Sequence, residues 1–243
     1  METLPPIPQW VQLEHEVAQL LTNQEQHGWT FDGQAAWKLA STLKAELQQI
    51  EESLRRQHPF VAGAEFTPKR NNSRYGYVEG APATRLKEFN PTSRDHIAWI
   101  LKTLHGWKLT QMTPTGKPII DEIVLKEIIA SDGPSIASDL MRCLVITKTL
   151  GMISEGTNAW LRLVTNESKI HHHCSVATST HRCAHRNPNL AQVPSDDTCR
   201  RLFIASPGQT LVGADLSAIE LRVLAHYLAR YDGGRDAKLL LED

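Results

Sequence analysis

Apolar residues along this chain follow two periods, and the change from one to the other divides it. Up to about residue 165 they recur at steps of three and four, the spacing of one helix face. From Lys169 onward they fall in short extended runs broken by Pro and Gly. The first helix is predicted from Trp10 to His27, with Leu13, Val17, Leu20 and Leu21 on one face and Gly28 ending it. Pro5, Pro6 and Pro8 make an extended lead-in to it. Asp32 can cap a second helix running to Gln57. Its apolar positions Ala36, Ala40, Leu43, Leu47, Ile50 and Leu54 alternate steps of four and three, the seam of a coiled coil. At 1.5 Å per residue this is a rod about 35 Å long. The seam suits either a dimerising coiled coil or an intrachain pair, and the short turn at Gly28 favours an antiparallel hairpin with the first helix.

Residues 58–94 read as an irregular stretch rich in Pro, Gly and Asn. A capped helix follows, opened by Asn90 to Ser93 and faced by Ile97, Ile100, Leu101 and Leu104. A turn and a short helix are predicted in TPTGKPIIDEIVLKEII, and a long helix from Ile136 to about Ile153 that continues or restarts in GTNAWLRLV. Beyond Lys169, KIHHHCSV and RRLFIAS are strand candidates, THRCAHRNPNLAQVPS is a loop, and SPGQ is a turn.

Composition narrows the picture only a little. The chain has 243 residues, 41% hydrophobic and 22% charged, as in ordinary globular proteins, and a net charge of −1. No apolar run reaches the roughly 20 residues of a membrane helix, and the N-terminus lacks a signal-peptide pattern, so a cytoplasmic protein is expected. The distribution of charge is more telling than its sum. Arg55 to Arg94 holds eight Lys or Arg against three Glu, and Lys169 to Arg201 holds five against two Asp. Local basic faces can bind phosphate on a neutral chain. Lys69, Arg70 and Arg74 interleave with Tyr75 and Tyr77, which suits a nucleic-acid backbone as well as a solvated loop. Cys143, Cys174, Cys183 and Cys199 fit free thiols in a reducing compartment. The His- and Cys-rich run 171–185 matches no common zinc module.

The densest chemistry lies in 209–231, QTLVGADLSAIELRVLAHYLARY. Thr210 to Ala214 suits a buried strand that ends in Asp215, and a helix follows with Ile219, Val223, Leu224, Tyr227 and Leu228 at helical spacing. A carboxylate at the end of a buried strand points past the sheet edge, where α/β folds hold ligands. Glu220, in the first helical turn, can face the same cleft. Ser217-x-x-Glu220 can equally be a capping box.

The string Asp215 to His226, DLSAIELRVLAH, resembles motif A of the family-A DNA polymerases. That resemblance implies that Asp215 and the Leu216 backbone carbonyl hold catalytic Mg²⁺, and that Ser217, Ile219 and Glu220 line the dNTP site, with Glu220 beneath the sugar. Upstream, Thr180-His-Arg182 and Asn187-Pro-Asn189-Leu190-Ala-Gln192-Val-Pro194 resemble the family's T-x-R and P-N-L-Q segment, so Arg182, Asn189 and Gln192 are expected to touch the primer duplex. Arg and amide donors can meet the minor-groove acceptors that every base pair offers, which checks pair shape without reading sequence. His181 stands where the family has glycine. Further resemblance to the phage replicative branch runs through WVQLEHEVAQLLTNQEQHGWTFD, GYVEGAP, FNPTSRDHIAW, TPTGKPIIDE, EGTNAWLRLV and LAHYLARYDGG.

The fold implied is α+β: a long antiparallel helical thumb over 1–165, with a basic loop near 58–94, followed over 166–243 by the first strands and helix of a polymerase palm. The family's exonuclease domain would precede Trp10, and motifs B and C would lie beyond Asp243. The expectation is therefore a split or truncated polymerase, binding primer–template DNA and dNTP but inactive without a second chain that carries the fingers and motif C. A DNA-binding accessory chain with a remnant motif A is the alternative. A single-subunit RNA polymerase shares the motif-A acid, but Glu220 favours deoxyribonucleotides.

Overall fold

Helix α2 (Gly33–Gln57) is the member against which most of the first unit is assembled. In a computed structural model, residues 7–180 and 182–242 are described, and the chain divides into two compact units, Met1–Ile204 and Ala205–Asp243. The N-terminus of α2 is fixed as its sequence predicts: the Asp32 carboxylate accepts from the Ala35 amide at 2.8 Å, satisfying one orphan donor of the first turn. Its seam is buried at Ala36, Ala40, Leu43 and Leu54 and half-buried at Leu47 and Ile50.

That seam joins two hydrophobic clusters. One gathers Phe31, Ala36, Ala40 and Leu43 with Ile146, Leu150, Ile153, Trp160 and Leu202. The other gathers Leu54 with Val61, Phe89, Ile97, Leu101, Leu125 and Leu140. Leu47 and Ile50 pack against both. The helix facing α2 is α5 (Ile136–Leu150), and Arg142 on α5 holds Glu46 on α2 through its Nη2 at 2.7 Å. The guanidinium lowers the Glu46 carboxyl below its usual range, chiefly by hydrogen bonding. Phe31, Trp160 and Phe203 close the other end edge-to-face, with centroids 5.2–6.1 Å apart.

Helix α1 (Gln9–His27) has the predicted bounds but not the predicted partner. No residue of its apolar face is buried, and it meets β5 (His173–Ser175) rather than α2. The seam of α2 was already taken by α5, so the α1–α2 hairpin expected from the short turn does not form. What fixes α1 is its C-terminal end. Lys169 Nζ donates to the His27 carbonyl at 2.6 Å, and His171 Nδ1 lies 2.7 Å from the Glu25 carbonyl, satisfying last-turn carbonyls. Gly28 follows at φ 64°, with the His171 ring 2.8 Å from where a Cβ would stand.

The stretch 58–94 is not irregular. Strands β2 (Phe60–Phe66) and β3 (Ala83–Glu88) form an antiparallel hairpin, with a register shift between Ala62 and Glu65. At Gly63 the Arg85 carbonyl oxygen passes 2.8 Å from the position of a Cβ, so only glycine admits that approach. Gly63 sits at the register shift, and most of the other Gly, Pro and Asn that suggested an irregular stretch belong to the loop at the hairpin tip.

The remaining helices are α3 (Arg94–Trp99), continued by a π-helical turn at Ile100–Leu104, α4 (Glu122–Ala130) and α6 (Trp160–Leu163), with a second π turn at Gly151–Glu155. Short α7 (Asp197–Arg200) ends at the first residue of RRLFIAS, and the strand expected there is reduced to a single bridge from Phe203 to Phe31. Strand β1 (Trp29–Thr30) pairs with β4 (Lys169–Ile170), and β5 pairs with β6 (Ala184–Arg186).

In the second unit, α8 (Ile219–Asp232) and α9 (Arg235–Glu242) pack together across Gly233 and Gly234. Asp232 Oδ1 and Oδ2 accept from the Gly234 and Asp236 amides at 2.8 and 3.0 Å, tying the turn. The strand expected at Thr210–Ala214 is absent: these residues are exposed and pair with no strand among those described. An extended segment becomes a strand only when a neighbour completes its backbone ladder.

The packing sets a stability hierarchy. Leu140→Ala, at the fully buried α5 face, should cost about 2–5 kcal/mol. Leu13→Ala, on the exposed face of α1, should stay within about 0.5 kcal/mol. Urea midpoints of the two variants at constant m-value check this.

Candidate nucleic-acid interface and carboxylate segment

The residues singled out in the sequence fall in three places. Lys69, Arg70 and Arg74 lie in the loop 67–82 that joins β2 to β3, and all three are exposed. The loop is tied to itself. Asn72 and Tyr77 exchange backbone hydrogen bonds at 2.8 and 2.9 Å, the Gly80 amide donates to the Pro68 carbonyl at 3.0 Å, and the Glu79 amide donates to Asn71 Oδ1 at 2.7 Å. Tyr75 and Tyr77 stack at 5.9 Å, and Phe66 meets Tyr77 edge-on at 5.0 Å. Arg74 lies 5.6 Å from the Tyr75 ring centroid, and Arg85 lies 4.8 Å from that of Phe66. Lys69 and Arg70 face one depression of about 550 Å³ with Phe66, Tyr75, Tyr77 and Arg85. Phe66 and Arg85 were missed in the sequence, because they reach the tip only through the pairing of β2 with β3.

The second place is the stretch 182–194. Arg182 is exposed, and its carbonyl accepts from Thr178 Oγ1 at 2.9 Å. His181, the departure from the family pattern, lies outside the described residues. Asn189 caps the 3₁₀ turn Leu190–Gln192: its Oδ1 accepts from the Ala191 amide at 3.2 Å, so the cap engages only the carbonyl oxygen of the side chain. Gln192 is exposed on the same turn, so Asn189 and Gln192 are brought together there, one residue before Val193.

The adjoining β5–β6 hairpin places Cys174 and His185 side by side. Cys174 pairs with His185 in register, with Sγ 3.7 Å from Nε2. Burial first, then Cys183, pushes the Cys174 thiol up to about 11. The Glu25 carboxylate of α1 accepts from the Cys174 amide at 2.6 Å and meets His173 Nδ1 at 2.8 Å, and the amide bond is the main cause of its lowered pKa. His172 is 3% exposed and stacks on His185 at 5.2 Å, and neither of its ring nitrogens has a hydrogen-bond partner among the described residues.

The third place is in the second unit. Asp215, Leu216 and Ser217 lie on an exposed segment without regular structure, and Ile219 and Glu220 open α8. The capping box proposed for Ser217 and Glu220 is not formed. The N-cap is Ala218, in the left-handed region at φ 49°, and no side chain closes it. This kink puts Ser217 one residue outside the cap, where its carbonyl accepts from Arg222 Nε at 2.8 Å. The faces of α8 at Ile219, Val223, Leu224 and Tyr227 are exposed, as is Val212 at 89%.

Oxygen donors such as the Asp215 carboxylate and the Leu216 carbonyl suit Mg²⁺, a hard cation usually held by one or two carboxylates plus substrate phosphates. Among the described residues, however, no group of three or more His, Cys, Asp or Glu side chains could hold a metal ion. No helix among them is long and apolar enough to cross a membrane.

Residues 71–231 match the family model described as DNA polymerase family A. The DNA-directed DNA polymerase of Escherichia phage T7 is 32% identical over 289 residues, covering 95% of this chain and 41% of its own length. DNA polymerase I of Pseudomonas aeruginosa is 31% identical over 155 residues, covering 62% of this chain and 17% of its own. Among solved structures, the POL domain of Pol1 from M. smegmatis, in complex with DNA primer-template and dNTP, superposes with a TM-score of 0.62 at 21% identity. It covers 89% of this chain and 34% of that one, a likeness of fold. The chain thus spans less than half the length of the phage relative it matches.

The buried imidazoles make the first unit acid-sensitive. Burial lowers the pKa of His172 and of His58, with His185 and His105 respectively adding repulsion. A depressed folded-state pKa means that protonation favours the unfolded chain. The stability involved is present above the ordinary histidine value of about 6.5 and is lost as pH falls through the folded values. The melting temperature should therefore drop between pH 7 and pH 5, before carboxylates titrate, and His172→Phe should shrink that drop.

Proposed function

This chain belongs to DNA polymerase family A, and from that premise we propose that it grips primer–template DNA and supplies one catalytic carboxylate for template-directed DNA synthesis. The reaction is attack of a primer 3′-hydroxyl on the α-phosphate of a dNTP. In this reading 1–165 is the thumb and 166–243 the first part of the palm. The single observation that carries it is the string Asp215 to His226 within the matched region 71–231, with Asp215 exposed and presented to solvent.

Each site residue then has a role. Asp215 and the Leu216 carbonyl would hold Mg²⁺, which when bound supplies charge neutralisation at the reacting phosphate. Ser217 and Ile219 border the dNTP, and Glu220 lies beneath its sugar. Arg182, Asn189 and Gln192 donate to the minor groove near the primer end, and Lys69, Arg70 and Arg74 meet backbone phosphate. The Pol1 structure holding primer-template and dNTP gives the same partners by analogy of fold. The work would be done in the host cytoplasm.

Two-metal phosphoryl transfer needs more than one acid. The further acid and the fingers come, in this reading, from polypeptide outside these residues. The exposed apolar face of α8 supports this, because surfaces of that kind mark sites where other protein packs. A non-catalytic accessory chain is the rival reading.

The 243 residues alone should bind primer–template with little sequence preference and a log–log salt slope of about −0.9 per phosphate contact, yet extend no primer. Extension by the pure chain, or no binding at 50 mM salt, counts against the proposal. In an active polymerase containing this segment, Asp215→Asn should abolish extension while DNA binding survives. That outcome separates the catalytic reading from the accessory one. Glu220→Ala should lower the kcat/KM ratio of dCTP over CTP, since discrimination is differential transition-state binding. An unchanged ratio would remove Glu220 from the sugar site.

A further inference from the structure

The tip of the β2–β3 hairpin carries groups that duplex binding leaves unused. A duplex offers a protein phosphates and groove edges, while its base faces are covered by one another. Phosphate contact would need Lys69, Arg70 and Arg74, but not an aromatic platform. At this tip, however, Tyr75 is 61% exposed and stacks on Tyr77 at 5.9 Å with an interplanar angle of 26°.

Packing accounts for only part of that cluster. Phe66 against Tyr77, edge-on at 5.0 Å, closes the base of the loop, and the backbone bonds between Asn72 and Tyr77 hold its end. Tyr75 is not required for either contact. The depression beside it, about 550 Å³, is lined by Lys69, Arg70 and Arg85 and by no carboxylate. Within 66–85 only Glu79 opposes four Lys and Arg. The volume lies in the range of sites that take a small-molecule-sized group, about 300–1,000 Å³. The occupant favoured by this lining is anionic and has a free flat face. Because the loop is bonded to itself at both ends, the aromatic surface is set before anything binds, which reduces the ordering cost of association.

We propose that this tip is a binding site for single-stranded DNA, in which an unpaired base stacks on the Tyr75–Tyr77 platform and the flanking phosphates are held by Lys69, Arg70 and Arg85. Stacking on aromatics tolerates any base, as copying an arbitrary template requires. The inference rests on the reading of this chain as a DNA polymerase segment and goes beyond it, because it assigns the Tyr75–Tyr77 platform, which duplex contact leaves unused, to an unpaired base.

The test is fluorescence anisotropy with the full chain at fixed salt, using labelled dT12, an abasic 12-mer of equal charge, and primer–template duplex, with dTMP as competitor. We expect dT12 to bind about tenfold tighter than the abasic strand. Tyr75→Ala should erase that difference while leaving abasic and duplex binding in place, and Tyr75→Phe should restore it. Millimolar dTMP should not displace dT12, which separates a strand site from a free-nucleotide site. Displacement by dTMP, or equal affinity for dT12 and the abasic strand in the unmodified chain, overturns the proposal. So does a Tyr75→Ala variant that keeps its melting temperature and its preference for dT12. If duplex binds with its salt slope while the base effect is missing, only this inference fails. If no DNA binds, the polymerase reading fails with it.

Discussion

The burial of one long helix face against another is the constraint on which the first unit depends. The α2 seam runs through both hydrophobic clusters, and α5 faces it along Leu140, Cys143, Ile146 and Leu150. Each fully buried aliphatic side chain there contributes about 1.5–3 kcal/mol of transfer free energy. No polar contact in the unit approaches that sum. The Arg142–Glu46 pair is half exposed, and pairs of that kind contribute about 0–1 kcal/mol. It fixes the register of the two helices more than it holds them together. The same burial keeps the Cys143 thiol protonated, pushed up to about 12, so it behaves as a small apolar side chain.

The candidate nucleic-acid groups hang from this scaffold without sharing its core. The β2–β3 hairpin is anchored through Val61 and the adjoining Phe89, which sit in the cluster with Leu54. Its tip then projects charged and aromatic residues held by backbone bonds within the loop. Loops bonded to themselves in this way can present side chains in fixed positions while tolerating sequence change at the surface. The β5–β6 hairpin follows a different rule: burial pushes its Cys174 thiol up to about 11, and the Glu25 carboxylate of α1 ties it through the Cys174 amide. One end of α1 is thus structural, while its exposed Trp10 and Leu13 add nothing to the core.

The second unit is organised on local contacts: the α8–α9 pair, the Asp232 carboxylate bonded across the turn, and a buried Ala225. Its apolar residues outnumber the positions at which it can bury them. The segment that carries Asp215 is therefore extended but ladderless, and Ala218 takes a left-handed conformation that costs a non-glycine residue about 1–2 kcal/mol.

Helices were legible in the sequence because their signals are local. The four-three steps of α2, the Asp32 cap and the stop at Gly28 each specify a boundary within a few residues of themselves. The family was legible for a related reason: Asp215 to His226 and Thr180 to Pro194 are contiguous strings whose residue types carry the chemistry. Pairings across the chain were not legible. That α2 packs on α5 and not on its neighbour α1, that Gly63 and Arg85 close a bulged hairpin, and that Arg85 and Phe66 join the tip are matters of which faces meet. Faces meet according to total burial over the whole fold. The strand expected at Thr210–Ala214 makes the same point in reverse. Sequence by itself determined an extended, apolar segment ending in a carboxylate; whether it becomes a strand is decided only by tertiary structure, because half of every ladder hydrogen bond belongs to another segment.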